Sequence, residues 1–196
     1  MNTRAEGYEF AASRRGNFMQ TFSGHVYWPL DPRPNEVNIL DIAHSLAMQC
    51  RYTGHTSKFY SVAEHSWHVS HIVPPELALL GLLHDATEAY LTDVARPVKR
   101  HLDNYKAIEA LNWTVIAKKF RLPDVMPEAI HEADAAMLAA ERAALMRPLP
   151  KASDIEWSMG DVRPPAKVQI YGWYPDSGKQ QFLERFYELT AGRRAS

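Results

Sequence analysis

The chain has 196 residues, a formal net charge of −1 and 46% hydrophobic residues, which predicts one globular domain, or one domain with an appendage. This charge gives no general attraction to nucleic acid or to anionic membranes, so neither is an expected partner. The single cysteine, Cys50, excludes an internal disulfide framework and a cysteine-rich zinc site. No apolar run reaches the roughly 18 residues of a membrane-spanning helix. The N-terminus lacks the apolar core of a signal peptide, so we expect a cytoplasmic protein.

The N-terminal part of the chain predicts a small β element. Residues 1–16 are polar and are expected to be flexible. Residues 17–30 predict two short strands around Ser23-Gly24, because aromatic and β-branched residues lie on both sides of this turn pair. Prolines at positions 29, 32 and 34 then prevent regular structure.

Apolar residues at helical spacing predict that the rest of the chain is mainly helical. Asn38 is a plausible N-cap for a helix that runs to about Cys50, where Arg51-Tyr52-Thr53-Gly54 forms a turn. Further helices are predicted over residues 62–73, 75–91, 101–120, 127–146 and 177–190. The apolar stripe of the 101–120 helix consists of Ile108, Leu111, Val115 and Ile116. The fold class is therefore all-α with a small N-terminal β-hairpin.

The helical pattern weakens after Arg147-Pro148. A short extended piece is predicted over 168–171. We expect residues 17–150 to form the main domain and residues 151–196 to be an extension packed on it. The tail contains Trp157, Trp173 and Tyr174, which are expected to pack the core. The alternatives are that they cover a pocket or pack a subunit interface.

Three groups that can bind a metal or move a proton lie inside an apolar run of the 75–91 helix. His84 and Glu88 are four residues apart, and Asp85 and Glu88 are three apart, so all three face one side of a helix. Burying them without partners costs on the order of several kcal/mol. A cation, a substrate or a hydrogen-bond network is therefore expected at this side of the helix.

Two residues from other helices can join this group. Asp134 has mainly apolar neighbours three and four steps away, so its buried carboxylate is predicted to meet a cation, either a metal or an arginine. His65 lies early in the 62–73 helix. The short link Val73-Pro74-Pro75 allows this helix to run antiparallel to the next one, which can bring His65 close to His84.

The order and helical placement of these residues resemble a known metal-binding pattern. His65, the His84-Asp85 pair and Asp134 resemble the ligands of the HD-domain phosphohydrolase superfamily. A second set of motifs resembles the branch that contains the YfbR-like 5′-deoxynucleotidases: His84-Asp85-Ala86-Thr87-Glu88, Asp93 and Arg96-Pro97-Val98-Lys99. A third set is more similar to prophage-borne members of the YfdR type: Phe22-Ser23-Gly24, Trp28-Pro29-Leu30 and Cys50-Arg51-Tyr52-Thr53-Gly54-His55.

The resemblance implies an HD-domain helical bundle that binds one divalent cation. Its ligands would be His65, His84, Asp85 and Asp134. Two imidazoles and two carboxylates suit Co, Mn, Zn, Ni or Fe better than Ca or Mg.

The resemblance also implies the residues that act on the substrate. Arg51 matches the arginine that grips the phosphate, and Glu88 and Asp93 match the acidic pair that positions water and substrate. Tyr52 stands where the nucleotidases often have a tryptophan packed against the sugar. Lys99 is a further candidate phosphate contact, with a solvated lysine as the alternative.

The implied activity is that of an HD-type phosphomonoester hydrolase that removes phosphate from (deoxy)nucleoside 5′-monophosphates. Two alternatives remain open: a deoxynucleoside triphosphate triphosphohydrolase, and a weakly catalytic nucleotide-binding HD module. The expected partners are a small-molecule nucleotide and further copies of the chain, as a dimer or a higher homo-oligomer. The apolar side of helix 177–190 is one possible subunit contact.

Overall fold

The computed structural model describes residues 14–149, 162–165 and 168–191. Within these ranges the chain is mainly helical and has one two-stranded antiparallel sheet near its N-terminus, which confirms the predicted fold class. The helices are α1 (Ile39–Met48), α2 (Val62–Ile72), α3 (Ala78–Leu83), α4 (Glu88–Leu91), α5 (Arg96–Lys99), α6 (Tyr105–Phe120), α7 (Glu128–Leu145) and α8 (Pro175–Thr190). None of the described helices is long and apolar enough to cross a bilayer.

The predicted hairpin is present and is held against α1. Strands β1 (Met19–Gln20) and β2 (Val26–Tyr27) pair with Met19 opposite Tyr27. At the tip, the Ser23 N–H and Oγ donate to the two carboxylate oxygens of buried Asp41, at 2.6 and 2.8 Å. The hairpin is therefore fixed to the first turn of α1.

The N-terminal segment predicted to be flexible lies mostly outside the described residues. Arg14, near its end, is bonded to the body of the protein. Its Nη1 donates to Oε1 of buried Glu36 at 2.7 Å. A charge-assisted bond between two buried side chains fixes the chain from this residue onward.

Side-chain caps define where the first two long helices begin. The Asn38 side chain accepts a bond from Leu40 N at 3.0 Å, as an N-cap does, which confirms the predicted start of α1. Ser61 caps α2 in the same way, with its Oγ accepting from Glu64 N at 3.1 Å. Helix α2 ends at Ile72, just before Val73-Pro74.

The prediction of one continuous helix over 75–91 is wrong, because the helix is interrupted at His84 and Asp85, two of the predicted site residues. A 3₁₀ turn over Pro75–Leu77 precedes α3, and residues 84–87 form turns that separate α3 from α4. Gly81 O, which an unbroken α-helix would bond to the N–H of residue 85, accepts the ring Nδ1 of His84 at 2.8 Å instead. The chain then continues with tighter bonds, such as Glu88 N to Asp85 O at 3.0 Å.

Helix α6 differs from its prediction in its start and in its buried side. It begins at Tyr105 instead of residue 101, and Leu111, predicted to belong to the apolar stripe, is 41% exposed. The buried side includes the polar Asn112, which accepts from the Tyr27 hydroxyl at 2.6 Å and donates to Pro29 O at 2.8 Å. These two bonds orient α6 so that Leu111 faces outward.

Helix α8 packs on α1, α2 and α3, with Phe182 and Phe186 buried. Its apolar side therefore completes the core of the chain and is not available as the subunit contact that the sequence suggested.

The tail aromatics differ in their surroundings. Trp157 lies outside the described residues. Trp173 is half-buried against Tyr171, whereas Tyr174 is 81% exposed and does not pack in the core. Residues 168–171 pair with no strand among the residues that the structure describes.

Candidate metal centre

Side chains from three separate helical segments converge at one point. His65 lies on α2, His84 follows α3, and Asp134 lies on α7. The Nε2 atoms of the two histidines are 3.3 Å apart, and His65 Nε2 is 3.2 Å from Asp134 Oδ1. The ligand atoms of these three residues all lie within 4.8 Å of one another, so the group can hold a metal ion.

Asp85 extends the group on the same side. Its Oδ2 lies 3.3 Å from His84 Nε2 and 3.6 Å from His65 Nε2. A cation with bonds of about 2.0–2.2 Å to nitrogen and oxygen sets tetrahedral ligand atoms about 3.3–3.6 Å apart. The separations of His65 from the other three residues, 3.2–3.6 Å, are close to this spacing, and the group of His65, His84 and Asp134 could hold a single ion.

Hydrogen bonds at the far ring nitrogens direct both histidines toward the centre. His84 Nδ1 lies 2.8 Å from Gly81 O, and His65 Nδ1 lies 2.5 Å from Glu141 Oε1. A carbonyl or a carboxylate oxygen can only accept, so each Nδ1 carries the donated proton. The Nε2 atoms then face the two carboxylates and are the atoms that can bind a metal, an orientation that is typical of metal-ligating histidines.

The electrostatics of the group favour a positive charge at its centre. Burial and the charge of Arg51 lower the pKa of His65, but Glu141 and Asp134 outweigh them and raise it to about 9. Burial opposes ionisation of Asp134, but its bond to His65 and the nearby positive charges hold the pKa of that carboxyl well below its usual range. A proton on His65 or a bound cation can supply the charge that these groups require.

The centre is closed at its imidazoles and open at its carboxylates. The side chains of His65 and His84 are 0% and 6% exposed, whereas those of Asp85 and Asp134 are 21% and 26% exposed. Arg96 lies at the open side, with Nη2 3.7 Å from Asp134 Oδ2. A ligand from solvent therefore approaches across the two aspartates.

Arg51, the arginine predicted to bind phosphate, lies beside the candidate metal centre. Arg51 Nη1 is 3.5 Å from Asp85 Oδ2, and Arg51 Nε donates to Glu141 Oε2 at 3.2 Å. Arg51 starts a 3₁₀ turn in which Tyr52 and Thr53 both have a positive φ of 56°. The Tyr52 hydroxyl points inward and donates to Glu141.

The predicted acidic pair is also near the centre. Glu88 is buried, and its Oε2 has no hydrogen-bond partner. Burial first, and then the charges of Asp85 and Asp93, raise the pKa of Glu88 well above its usual range. Burial likewise raises the pKa of Asp93, with Arg51 opposing and Asp85 adding to the shift. Among the described residues, Arg51 forms ion pairs with Asp85 and Glu141.

Lys99 is already paired in this structure. Its Nζ lies 2.6 Å from Glu109 Oε1. Its charge still acts on the acidic pair, since it lowers the pKa of both Glu88 and Asp93. The structure therefore places Lys99 at the edge of the site and bound to Glu109, not projecting freely toward a phosphate.

Sequence reasoning missed Glu141, which binds groups on both sides of the centre. It is 0% exposed and lies seven residues after Asp134 on α7, which places both carboxylates on one side of the helix. Burial raises its pKa, but the charges of Arg51 and His65 outweigh burial and lower it to about 2. The spacing from Asp134 is the one signal that points to Glu141 in the sequence.

Comparison with known proteins places the chain in a family. No family model matches the sequence. The chain is 38% identical over 181 residues to the uncharacterized protein YfdR of Escherichia coli K12, an alignment that covers 92% of the chain and 99% of that protein. It is also 37% identical over 126 residues to the uncharacterized protein RCAP_rcc00048 of Rhodobacter capsulatus, covering 59% of the chain and 64% of that protein. The chain belongs to the YfdR family.

Proposed function

We propose that the protein is a metal-dependent phosphohydrolase of the HD-domain superfamily that removes phosphate from (deoxy)nucleoside 5′-monophosphates. One observation carries this proposal. His65 Nε2 lies 3.2–3.6 Å from His84 Nε2 and from one carboxylate oxygen each of Asp85 and Asp134, and Asp85 lies 3.5 Å from the guanidinium of Arg51. A cation site next to a fixed arginine is suited to a dianionic phosphate.

The metal would be held by His65, His84, Asp85 and Asp134. When bound, a divalent Co, Mn, Zn, Ni or Fe ion acidifies water and offsets the negative charge of a phosphoryl group. The partly exposed aspartates leave one side of the centre open for the substrate.

The surrounding residues have distinct roles in this proposal. Arg51 binds phosphoryl oxygens and orients the phosphate for in-line attack. Glu88 has a raised pKa, which favours its protonated form, so it can deliver a proton to the leaving 5′ oxygen. In this proposal Asp93 and the ring of Tyr52 contact the substrate. The homo-oligomeric state and the cytoplasmic location stay predictions.

A metal-by-substrate screen with the purified protein tests the proposal. The screen combines the five metals with deoxy- and ribonucleoside mono- and triphosphates and identifies every product. Free phosphate from monophosphates supports the proposal, whereas tripolyphosphate or pyrophosphate from triphosphates supports the triphosphohydrolase. Nucleotide binding without turnover supports the weakly catalytic module.

Two variants locate the activity. His84→Ala is expected to abolish both metal binding and hydrolysis. His131→Ala removes an exposed histidine on α7 and serves as the matched control that retains both. Hydrolysis that survives in His84→Ala would show that the site has been assigned incorrectly.

A further inference from the structure

We propose that Glu141 is a positioning residue that holds the metal-ligating His65 and the phosphate-binding Arg51 on a single carboxylate. This inference rests on the function proposed above. Glu141 Oε1 accepts from His65 Nδ1 at 2.5 Å and from the Tyr60 hydroxyl at 2.8 Å. Glu141 Oε2 accepts from Arg51 Nε at 3.2 Å and from the Tyr52 hydroxyl.

The bonding capacity of this carboxylate is fully used. An ionised carboxylate has about four lone-pair positions, and Glu141 receives four donors, two on each oxygen. Breaking such a buried network is costly, because a buried charge then loses its partners. Oε1 binds the candidate metal ligand His65, and Oε2 binds Arg51, the proposed phosphate contact. The relative position of His65 and Arg51 is therefore set by the geometry of one side chain.

The segment that carries Arg51 depends on this carboxylate for its shape. Tyr52 and Thr53 have left-handed backbone conformations, which are unfavourable for residues other than glycine. The side chains of Arg51 and Tyr52 both bond to Glu141, and Ser57 N donates to Leu145 O at the end of α7 at 2.8 Å. Helix α7 thus fixes this loop in place.

The chemistry of Glu141 also sets the proton position on His65. Because a carboxylate only accepts, His65 must donate from Nδ1, which leaves Nε2, facing Asp134 and His84, as the atom that can bind a metal. Glu141→Gln replaces one acceptor oxygen with an NH₂ donor of nearly the same shape. Arg51 can only donate hydrogen bonds and is always charged, so in Glu141→Gln the amide oxygen is expected to face Arg51. The NH₂ then faces His65 Nδ1, which must accept and leave its proton on Nε2, where a metal would bind.

Co²⁺ titration, followed by visible absorption, tests this inference. We expect Glu141→Gln to raise the Kd for Co²⁺ by about 10- to 100-fold, as loss of a carboxylate behind a metal-bound histidine does. The nucleotide KM at saturating Co²⁺ should change less than about threefold, because Arg51 keeps its acceptor. Glu36→Gln is the matched control, since Glu36 is also buried and bound to an arginine, Arg14. It should leave both quantities unchanged.

A second pair of variants gives a test that does not depend on the folding of Glu141→Gln. Tyr60 and Tyr27 are both fully buried and both donate a hydroxyl hydrogen bond, but only Tyr60 donates to Glu141. Tyr60→Phe is expected to weaken Co²⁺ binding a few-fold, and Tyr27→Phe should not change it.

The outcomes separate this inference from the function itself. A folded Glu141→Gln with a Co²⁺ Kd within about threefold of the wild type overturns the inference, and so does equal Co²⁺ affinity in Tyr60→Phe and Tyr27→Phe. Hydrolysis by the wild type would then still support the proposed function. Loss of Co²⁺ binding in Glu141→Gln, together with a wild type that hydrolyses no nucleotide, keeps the role of Glu141 toward His65 but removes both the function and the phosphate-binding role of Arg51. A wild type that binds no Co²⁺ overturns the inference, because the role of Glu141 is to prepare a metal ligand.

Discussion

Gly81 of α3 packs against the backbone of Ser70 in α2. A Cβ atom added at Gly81 would lie 3.2 Å from Ser70 Cα and 3.3 Å from Val69 O. This close approach brings together the two helices that lead to His65 and His84.

Gly81→Ala is therefore expected to push α3 away from α2. Overpacking should lower the free energy of unfolding by about 1–2 kcal/mol and weaken metal binding at the same time. Urea unfolding and Co²⁺ titration measure the two effects. Gly178→Ala in α8 is the matched control, because its new Cβ would meet only ordinary contacts, 3.4 Å from Ser61 Oγ and 3.8 Å from Ala47 Cβ. It should gain up to about 1 kcal/mol from helix propensity. Equal effects of the two substitutions would contradict the role given to Gly81.

Arg51→Lys tests the phosphate contact. A lysine keeps the charge but loses the forked guanidinium, so we expect kcat/KM for a nucleotide to fall about 10- to 100-fold. Metal content should stay close to that of the wild type, because Arg51 is not among the proposed ligands. Steady-state kinetics and metal analysis on the same sample give both numbers, and a variant with wild-type kcat/KM would exclude Arg51 as the residue that grips the phosphate.

Glu88→Gln is expected to reduce activity and increase stability. The substitution removes the acid–base group, so kcat should fall about 10²- to 10⁴-fold with the metal retained. Because the pKa of Glu88 is raised in the folded protein, the folded state binds more protons than the unfolded state, and the wild type loses stability as the pH rises above about 4. The metal-free variant should therefore be more stable at pH 8 by about 1 kcal/mol or more, with a smaller gain at pH 5. Urea unfolding at the two pH values measures this gain. A loss of stability at pH 8 would show that the carboxylate has a favourable partner.

The raised pKa of Tyr27 predicts that the folded protein loses stability at alkaline pH. Its ring stacks on Tyr90, with centroids 3.7 Å apart, and burial first, then the charges of Tyr90 and Glu36, raise its pKa far above the usual 10. A raised pKa means that its contribution to stability is complete below pH 10 and is lost as the pH rises further. Each such tyrosine lowers the free energy of unfolding by about 1.4 kcal/mol per pH unit above 10.

Tyr27→Phe should make this decline shallower. It should also cost about 1 kcal/mol at pH 8, because the buried hydrogen bond to Asn112 is lost. Chemical unfolding between pH 8 and 11 gives both values. Tyr187→Phe controls for the loss of a surface hydroxyl, since Tyr187 is 46% exposed. The same pH slope in Tyr27→Phe and in the wild type would refute the prediction.

Local signals in the sequence predicted the elements that depend on local chemistry. The Ser23-Gly24 hairpin, the Asn38 cap and the long helix after Pro127 all follow from nearby residues, and the structure confirms them. The interruption after α3 could not be predicted in this way. Helical spacing reports which side a residue faces, but it does not report that a histidine ring takes the carbonyl of Gly81.

The residues of the candidate site also fall into those that local signals predicted and those that depend on distant contacts. Helical spacing and the short link between two helices predicted that His65 approaches His84 and Asp85, and the resemblance to the HD-domain superfamily added Asp134. The structure places His65 within 3.6 Å of the other three. Metal binding by this group stays a prediction. Glu141 was missed because a glutamate in an alanine-rich helix usually faces solvent. Its burial depends on donors that are 76 to 90 residues away in the chain, such as His65 and Arg51.

Glu64, the neighbour of His65 on α2, gives the C-terminal region a part in the architecture of the site. Its fully buried carboxylate accepts the backbone N–H groups of Tyr171, Gly172 and Trp173, at 2.7, 2.9 and 2.7 Å. A fragment that stopped before Tyr171 would leave this carboxylate without these three donors, one residue from His65. We therefore expect a chain shortened at that boundary to be less stable, because residues 171–173 supply the hydrogen bonds that this buried charge requires.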